Sequence, residues 1–449
     1  MHKKNLVNLF SGVAIALYSV LTTLLSPIIF FKLSWGFKKN RGIASEILMR
    51  FFGILRDIDG FEDYIKSKKR IWIHAVSVGE THAAIPLIRE LVLKDDECRI
   101  LFSNTTYSGF SFFRTYLKKN KSLDEKVVHC FSPIDFFWAP KIFLKRIDPQ
   151  TAIFIETEIW PNTINLLSKK NIKIVLANAR LSKNSLIKFK KLSWISIPTL
   201  NKFDLILAQS DNDAKRFLDT GAQVKVCISG NMKFDAFVAK DMVRLGEGWK
   251  NYFPKKSFWL ALSTRKNEEK EIFKAWKKNK PHNALLIIVP RHPERFDWVV
   301  KQAKNMGFFV ARRSDFLNTQ FSSDVTPNFE VVVGDSMGEI TAYASFADLS
   351  LVGGSVIDCG GQSPIELCSQ GCPVFFGPYM TNFLSISNQL LKTSAGFEIH
   401  SYDEWITKGL GLLSNHQEFS NSKKAAIQFT LSNKGASKAS AEKIHKLLE

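Results

Sequence analysis

Four short groups of polar and charged residues in this 449-residue chain each follow directly on an apolar run. They occupy residues 77–80, 156–162, 290–296 and 353–366. Continuous apolar runs are typical of strands buried in a parallel sheet. In such sheets, ligands bind beyond the carboxyl ends of the strands. The four groups are therefore the first candidates for a catalytic or binding site.

The first two groups contain carboxylates. Glu80 lies at a predicted turn between a strand and a helix, where a carboxylate can act as a general base or cap the helix. Glu156 and Glu158 precede Trp160, and this combination suits a sugar subsite, since carboxylates bind hydroxyls and an aromatic ring packs on the sugar. The alternative is a cap for a helix that begins at Pro161.

Positive residues follow two further predicted strands in the first half of the chain. Arg180 and Lys233 stand where they can neutralise anionic groups of a ligand. Isolated surface cations are common, so each is a weak signal alone. Ser77, Glu158 and Arg180 are weaker candidates for contacts with an acceptor or a sugar.

The second half of the chain has the features of a nucleotide pocket. Arg291 follows a predicted strand and is placed to pair with a phosphate. Glycine-rich turns at 334–339 and 353–366 each precede a predicted helix, whose first N–H groups favour an anion. Glu366, at the start of the second of these helices, can accept hydrogen bonds from both ribose hydroxyls.

These residues follow two series of predicted strands. Since 449 residues exceed one ordinary core, we predict two doubly wound α/β domains that face a cleft. The predicted division is 1–32 as an anchor, 33–240 and 257–449 as Rossmann-like domains, the second with C-terminal helices, and 241–256 as a linker. The predicted strands are 71–76, 99–103, 127–131, 151–155, 172–177 and 205–208, then 258–262, 285–289, 308–311, 331–333, 349–352 and 374–376.

The amino terminus is predicted to anchor the protein to a membrane. About 27 residues, 5–31, carry no charge, whereas a spanning helix needs about 20. The larger basic cluster follows the run, at Lys32, Lys38, Lys39 and Arg41, which places the main body in the cytoplasm. A cleaved signal peptide is the competing interpretation, but no small-residue cleavage pattern follows. Polar residues within the run leave an interfacial helix as an alternative.

The net charge of +20 predicts an anionic partner. The stretch 183–194 alternates lysines with apolar residues, which indicates contact with an anionic membrane surface or a solvated helix face. No helix-turn-helix or RNP signature links the charge to nucleic acid. The six cysteines form no CxxC pair, so neither a zinc ribbon nor a redox motif is indicated, and a reduced compartment fits.

These groups, in this order, resemble the 3-deoxy-D-manno-octulosonic acid (Kdo) transferases of lipopolysaccharide biosynthesis. The resemblance rests on HAVSVGE, ETEIWPN, NARLS, GNMKFD, PRHPERF, GDSMGE, GGS, PIE and FGPYMTNF. It implies an inverting glycosyltransferase of GT-B fold, held at the inner membrane by a single-pass anchor with its catalytic domains in the cytoplasm. CMP-Kdo would be the donor, bound by 257–449. The 6′-hydroxyl of the lipid A precursor lipid IVA would be the acceptor, bound by 33–240.

The resemblance also implies residue roles. Glu80 would be the proton acceptor, with Glu156 and Lys233 as transition-state stabilisers. CMP would contact Pro290, Arg291, Met337, Gly338, Glu339, Ser363, Pro364, Ile365 and Glu366. No metal site or cofactor is expected, since no DxD motif is present. The chain departs from the family pattern at 361–363 (GQS, often GGHN) and at Arg265, where the family has histidine.

Three other functions remain open from the sequence. A membrane-attached GT-B transferase that uses a UDP-sugar would need the same elements. A non-catalytic nucleotide-sugar binder would need no carboxylate in the site. A nucleic-acid binder would use the charge but leave the glycine turns unexplained.

Overall fold

A computed structural model describes residues 2–36, 43–55, 58–236, 240–253, 257–279, 281–316 and 328–449. The chain forms two compact units. The first comprises Met1–Ala236 together with Lys434–Glu449, and the second comprises Phe237–Asn433.

The first unit is built on a seven-stranded sheet in which every pairing is parallel. Its strand order is β3-β2-β1-β4-β5-β6-β7, so the order reverses between β1 and β4. The crevice at such a reversal is the usual ligand site of an open α/β sheet. The strands are β1 (Lys69–Ala75), β2 (Cys98–Asn104), β3 (Val127–Phe131), β4 (Thr151–Ile155), β5 (Lys173–Ala179), β6 (Leu205–Ala208) and β7 (Val226–Ile228).

The second unit has its own seven-stranded parallel sheet, of order β10-β11-β9-β8-β12-β13-β14. Here the reversal lies between β8 and β12. The strands are β8 (Ser257–Thr264), β9 (Ala284–Pro290), β10 (Val310–Arg312), β11 (Val331–Val333), β12 (Leu349–Val352), β13 (Val374–Phe376) and β14 (Gly396–Glu398).

Helices follow most strands, and apolar side chains cover both sheet faces. In β1, Ile71 and Ile73 enter one core cluster while Trp72 enters another, because successive strand residues point to opposite faces. The helices are α1 (His2–Gly36), α2 (Ile43–Phe52), α3 (Phe61–Lys66), α4 (Val78–Lys94), α5 (Tyr107–Lys119), α6 (Lys121–Asp124), α7 (Ala139–Ile147), α8 (Pro161–Lys169), α9 (Lys183–Lys191), α10 (Ser193–Leu200), α11 (Asp211–Leu218), α12 (Lys240–Tyr252), α13 (Glu268–Asn279), α14 (Phe296–Asn305), α15 (Ile340–Phe346), α16 (Ile365–Ser369), α17 (Leu384–Lys392), α18 (Tyr402–Ser414), α19 (His416–Ser432) and α20 (Ala436–Leu448).

The last helix differs from the predicted division, which placed it with the second domain. In the structure α20 belongs to the first unit, where Ala441 and Ile444 are buried in the core. The carboxylate of Asp235 accepts hydrogen bonds from the backbone N–H groups of Gly435 and Ser437, both at 2.6 Å. Apolar burial and this cap therefore hold the carboxyl terminus on the first unit.

The segment predicted as a linker contains helix α12, which packs on α15 within the second unit. The ring of Trp249 lies 5.1 Å from that of Tyr343. Gly246 is required at the contact, since a Cβ there would lie 2.2 Å from the carbonyl oxygen of Ala342. The polar, glycine-containing composition that suggested a linker thus belongs to a packed helix.

Helix α1 is long and apolar enough to cross a membrane. Its segment Gly12–Phe31 has a mean hydropathy of 2.1, and only 11% of that segment is buried. A few of its side chains contact the rest of the first unit: Ser19 donates a 2.6 Å hydrogen bond to Asn162, and Ile15 packs with Ile195. The low burial distinguishes α1 from a core helix.

Candidate active site

Glu80 lies in the first turn of α4, directly after β1. Its carboxylate accepts hydrogen bonds from the backbone N–H groups of Val76 and Ser77, while the hydroxyl of Ser77 accepts one from the Glu80 N–H at 3.4 Å. This reciprocal arrangement is a capping box. The alternative interpretation from the sequence, that Glu80 caps its helix, describes the observed contacts. The capping role alone does not determine the pKa of the Glu80 carboxyl group, which also depends on its surroundings.

Those surroundings raise the pKa of Glu80 to about 7. Burial contributes most and the nearby carboxylate of Glu156 adds to it, whereas the N–H groups of Val76 and Ser77 and the charge of Lys233 lower the pKa. A carboxyl group with a pKa near neutrality can accept a proton and release it again at physiological pH. Glu80 therefore meets the electrostatic requirement for a general base.

Glu156 follows β4 and holds a left-handed backbone conformation, with φ at 61°. Residues other than glycine adopt this region at a cost of about 1–3 kcal/mol, and such strain is concentrated at functional sites. The backbone is fixed there by two hydrogen bonds, from Glu156 N–H to Ala177 and from Arg180 N–H to Glu156. Its carboxylate forms an ion pair with Lys233 at 2.7 Å, in which the side chains are 12% and 22% exposed.

Lys233 is positioned by a 3₁₀ turn, Met232–Asp235, that is itself held from β5. The side-chain oxygen of Asn178 accepts a 2.9 Å hydrogen bond from the N–H of Met232, and Met232 is buried in the core. Asn231 accepts a further bond from the N–H of Lys233 at 3.0 Å. The ends of β4 and β5 and the turn after β7 thereby bring Glu156 and Lys233 together.

Glu158 adds a third carboxylate to this group. It accepts a 2.8 Å hydrogen bond from the indole N–H of Trp160. Its pKa is raised to about 7, first by burial and then by the charge of Glu80, while the bond from Trp160 lowers it. Glu80, Glu156 and Glu158 therefore interact electrostatically.

A second layer of buried polar residues supports these loops and was missed by sequence reasoning. The imidazole Nδ1 of His74 lies 3.0 Å from the hydroxyl of Ser103, and its ring stands nearly perpendicular to that of Trp160 at 5.9 Å. Burial lowers the pKa of His74 to about 4, so the ring is neutral beside the carboxylates. Asn104 donates hydrogen bonds to the carbonyl of Ala75 and the hydroxyl of Thr81, each at 2.9 Å.

Arg180, a weaker candidate from the sequence, contributes its backbone to the site through the bond to Glu156. Its guanidinium is half-buried and forms no ion pair with any residue in the described ranges. The remaining candidate of this unit, Ser77, acts as the N-cap of α4.

In the second unit, Arg291 follows Pro290, the last residue of β9. Its backbone N–H donates to the carbonyl of Thr264 at 3.0 Å, which joins the ends of β9 and β8. Its side chain is exposed and makes no ion pair within the part of the chain that the structure describes. An unpaired guanidinium at a strand end is available to an anionic ligand.

The three residues predicted to contact CMP at 337–339 are not equally accessible to a ligand. Met337 is 62% exposed, and Gly338 has a left-handed φ of 83° with open space around its Cα. The carboxylate of Glu339, however, forms a two-point ion pair with Arg313 at 2.9 and 3.0 Å and also accepts from Ser336. Glu339 thus fixes the loop, and its carboxylate is already occupied. Helix α15, which follows, is only seven residues long.

Close backbone packing explains the glycines of the segment 353–366. A Cβ on Gly353 would lie 2.4 Å from the carbonyl oxygen of Ser263, and one on Gly361 would lie 2.3 Å from the sulfur of Met380. Gly360 and Gly361 also hold left-handed φ values of 79° and 69°. These glycines let the ends of β8 and β12 and the segment after β13 approach each other.

Residues 363–366 lead into α16 at the end of this segment. The hydroxyl of Ser363 accepts a 3.4 Å bond from the N–H of Ile365, and Pro364 directly precedes the helix. Burial raises the pKa of Glu366 to about 7, and its carboxyl group has no hydrogen-bond partner in the described chain. The carboxyl group of Glu366 is therefore free to form hydrogen bonds with hydroxyl groups of a ligand.

The two units thus carry different chemistry. The first offers a carboxylate group suited to proton transfer and to stabilising positive charge, and the second offers guanidinium and backbone N–H groups suited to an anion. Within the residues described, no group of three or more His, Cys, Asp or Glu side chains is arranged to hold a metal ion.

Solved structures with similar folds extend over most of the chain. They include UDP-GlcNAc 2-epimerase from Neisseria meningitidis bound to UDP-GlcNAc (13% identity, TM-score 0.58, 84% of this chain and 100% of that one). A glycosyltransferase from Rickettsia africae is also similar (14% identity, TM-score 0.56, 85% and 97%). These likenesses confirm the predicted GT-B type of fold, two Rossmann-like units in one chain.

Sequence comparisons identify the family. The family described as 3-Deoxy-D-manno-octulosonic-acid transferase (kdotransferase) matches residues 52–236. The 3-deoxy-D-manno-octulosonic acid transferase of Haemophilus influenzae is 33% identical over 355 residues, 78% of this chain and 80% of that one. That of Aquifex aeolicus is 32% identical over 375 residues, 83% and 92%. The chain therefore belongs to the 3-deoxy-D-manno-octulosonic acid (Kdo) transferase family of glycosyltransferases.

Proposed function

We propose that the protein transfers Kdo from CMP-Kdo to the 6′-hydroxyl of a lipid A precursor, lipid IVA, with inversion at the anomeric carbon. The observation that carries the proposal is Glu80: a half-buried carboxyl group with a pKa of about 7, beside the ion pair of Glu156 and Lys233, in a member of this family. An acceptor hydroxyl needs a base of this kind to become a nucleophile at neutral pH.

In the proposed reaction Glu80 removes the proton from the acceptor hydroxyl. The hydroxyl oxygen forms a bond to the anomeric carbon of Kdo from the face opposite the phosphate, and the bond from that carbon to the phosphate oxygen breaks. CMP leaves with the electron pair, and its charge is met by Arg291. Glu156, oriented by Lys233, stabilises the positive charge that develops on the sugar ring.

The second unit would bind the donor. The unpartnered carboxyl group of Glu366 suits the ribose hydroxyls, and Ser363, Pro364 and Ile365 form the turn that presents it. The exposed backbone at Met337 and Gly338 is available to the nucleotide. The reaction as proposed uses no metal ion, since a guanidinium neutralises the single phosphate of CMP-Kdo.

Helix α1 would hold the protein at the cytoplasmic face of the inner membrane. Its neighbour α10 follows α9, which carries exposed Lys188, Lys190 and Lys191. The same surface exposes apolar residues, since Ile187 is 53% and Trp194 is 41% exposed. Basic and apolar side chains next to a membrane helix suit an anionic lipid surface, where the lipid acceptor also resides.

The test is mass spectrometry of the products after the full chain is incubated in detergent with lipid IVA and a CMP-Kdo generating system. We expect lipid IVA to gain the mass of Kdo, and we expect no product when UDP-sugars replace CMP-Kdo. Transfer from a UDP-sugar, or an unchanged lipid IVA with active CMP-Kdo present, would contradict the proposal.

A further inference from the structure

Arg265 lies at the reversal of the second sheet, directly after β8 and beside Gly354. Its side chain contacts the glycine closely, since a Cβ on Gly354 would lie 3.2 Å from the Cγ of Arg265. The Nε of Arg265 is buried and has no hydrogen-bond partner. A partly buried guanidinium with an unused donor is an incomplete site, because buried polar groups are nearly always satisfied.

Other guanidiniums near these strand ends are already neutralised. Arg295 forms a two-point ion pair with Glu269 at 2.7 and 2.9 Å, and Arg313 forms one with Glu339. The guanidinium groups of Arg265 and Arg291 have no carboxylate partner in the described ranges. Two adjacent strand ends, β8 and β9, thus present two unpaired positive charges.

The side chains next to Arg265 do not neutralise the positive charge of its guanidinium. Its Nη1 lies 2.8 Å from Nε2 of His292, and because arginine can only donate, that nitrogen accepts. The other ring nitrogen, Nδ1, lies 3.8 Å from the carboxylate of Glu294, so His292 offers the guanidinium no negative charge. The carboxylate of Glu268 is occupied by the N–H groups of Arg265 and Gly354 and by the hydroxyl of Tyr402.

The chemistry of the proposed donor matches this pair of charges. The sugar of this family is an octulosonic acid, and its carboxylate is attached to the anomeric carbon, the same carbon that bears the phosphate in CMP-Kdo. The donor therefore presents two anionic groups one carbon atom apart. A UDP-hexose carries no carboxylate on its anomeric carbon.

Building on the proposed function, we infer that Arg265 binds the carboxylate of the donor sugar while Arg291 binds its phosphate. Arg265 would then be a specificity-determining residue that distinguishes an ulosonic acid donor from a neutral sugar. His292 and the short approach at Gly354 hold the guanidinium at the strand end, where its remaining N–H groups would meet the ligand's carboxylate.

The test compares two ligands that differ by the acidic sugar. Dissociation constants for CMP and for CMP-Kdo are measured on the full chain in detergent, without acceptor, for wild type, Arg265→Met, Arg265→Lys and Arg291→Met. We expect Arg265→Met to weaken CMP-Kdo binding by about ten- to hundredfold, the scale of a lost charged hydrogen bond, and to leave CMP binding within about twofold. Arg291→Met should weaken both ligands, and Arg265→Lys should recover part of the CMP-Kdo affinity. Lys266→Met, an exposed neighbouring cation, is the control and should bind both ligands as wild type does.

Retained CMP binding also shows that the Arg265→Met variant is folded. An equal loss of CMP and CMP-Kdo affinity would assign Arg265 to the phosphate and overturn the inference, as would unchanged CMP-Kdo affinity. A wild-type protein that binds neither CMP nor CMP-Kdo would instead overturn the proposed function together with the inference.

Discussion

The first and second units each carry a seven-stranded parallel sheet, yet the loops at their points of reversal collect opposite charges. After β1 and β4 stand the carboxylates Glu80, Glu156 and Glu158, and after β8 and β9 stand the guanidiniums of Arg265 and Arg291. The same topology therefore brings side chains together in both units, and the residue types at the strand ends decide whether a site moves protons or binds anions.

Burial raises carboxyl pKa values in both units, that of Glu366 included, but in the first unit two such groups also interact with each other. In the first, burial and mutual repulsion raise the pKa values of Glu80 and Glu158 to about 7, which keeps these carboxyl groups able to exchange protons. In the second, the exposed Arg291 keeps its charge for a ligand. The first unit thus gathers interacting carboxyl groups of raised pKa and the second unpaired positive charge, so substitutions in the two units should have different effects on transfer.

The largest expected effect is that of Glu80→Gln. Glutamine can still accept the hydrogen bonds from Val76 and Ser77, so the helix cap is kept while the base is lost. We expect the transfer rate to fall by about a hundredfold or more, with CMP-Kdo affinity unchanged. Glu97→Gln, an exposed carboxylate beyond the other end of α4, is the matched control. Near-normal turnover of Glu80→Gln would remove this residue from the mechanism.

Lys233→Met should have the next largest effect. Lys233 lowers the pKa of Glu80 and neutralises Glu156, so its removal raises the pKa of the base. We expect transfer at neutral pH to fall by about tenfold, and the midpoint of the pH–rate profile to move to higher pH. Lys233→Arg, which keeps the charge, should shift it less. A midpoint that stays in place or moves to lower pH would contradict this account.

Glu158→Gln tests how much the ionised carboxylate of Glu158 destabilises the folded protein. The pKa of Glu158 in the folded protein is about 7, raised from 4.5, so its contribution to stability is full below about pH 4.5 and is lost as the pH rises through about 7. Glutamine keeps an acceptor for the indole N–H of Trp160. Because it does not ionise, it also avoids the loss of stability at high pH. We expect the thermal midpoint to rise by about 2–4 °C at pH 8, corresponding to about 1 kcal/mol, and to be unchanged near pH 4.5. If Glu158→Gln raised the thermal midpoint more at low pH than at pH 8, the pKa of Glu158 would be lowered in the folded protein and this account would be wrong.

The smallest effect is expected from Asp235→Ala, which removes the cap of α20. A lost helix cap costs about 1 kcal/mol, so the last helix should detach more often from the first unit. Limited proteolysis should release the carboxyl-terminal segment faster than in wild type, while Asp219→Ala, an exposed control, should not change the rate. Transfer should fall little, because Asn178 also holds the turn that carries Lys233.

The long buried strands were predictable because their apolar runs are continuous. The predicted strand 151–155 coincides with β4, and all five of its residues are buried. Strands β7 and β14 were not predicted, since each has three residues and is partly exposed, which leaves too short and too mixed a pattern. The last helix was assigned to the wrong neighbour because the contacts of Asp235 with Gly435 and Ser437 link positions about 200 residues apart.

The sequence indicated which residues are candidates for the site, but it did not indicate which of their side chains pair with each other. The sequence indicated Glu156 and Lys233 as members of one site, and the structure joins them in an ion pair. It gave no sign that Arg313 would occupy the carboxylate of Glu339, because that partner comes from the tertiary structure. The assignments of Glu80 as the base and of the CMP contacts stay predictions.

The pH dependence of the wild-type transfer rate reports whether a carboxyl group of raised pKa accepts the proton. The carboxyl group that accepts the proton must be ionised, and burial together with the charge of Glu156 raises the pKa of Glu80. We therefore predict that kcat/KM for the acceptor rises with pH to a plateau, with an apparent pKa of about 7. A profile that is flat across this range, or one whose rise ends near the ordinary pKa of a glutamate, 4.5, would contradict the account.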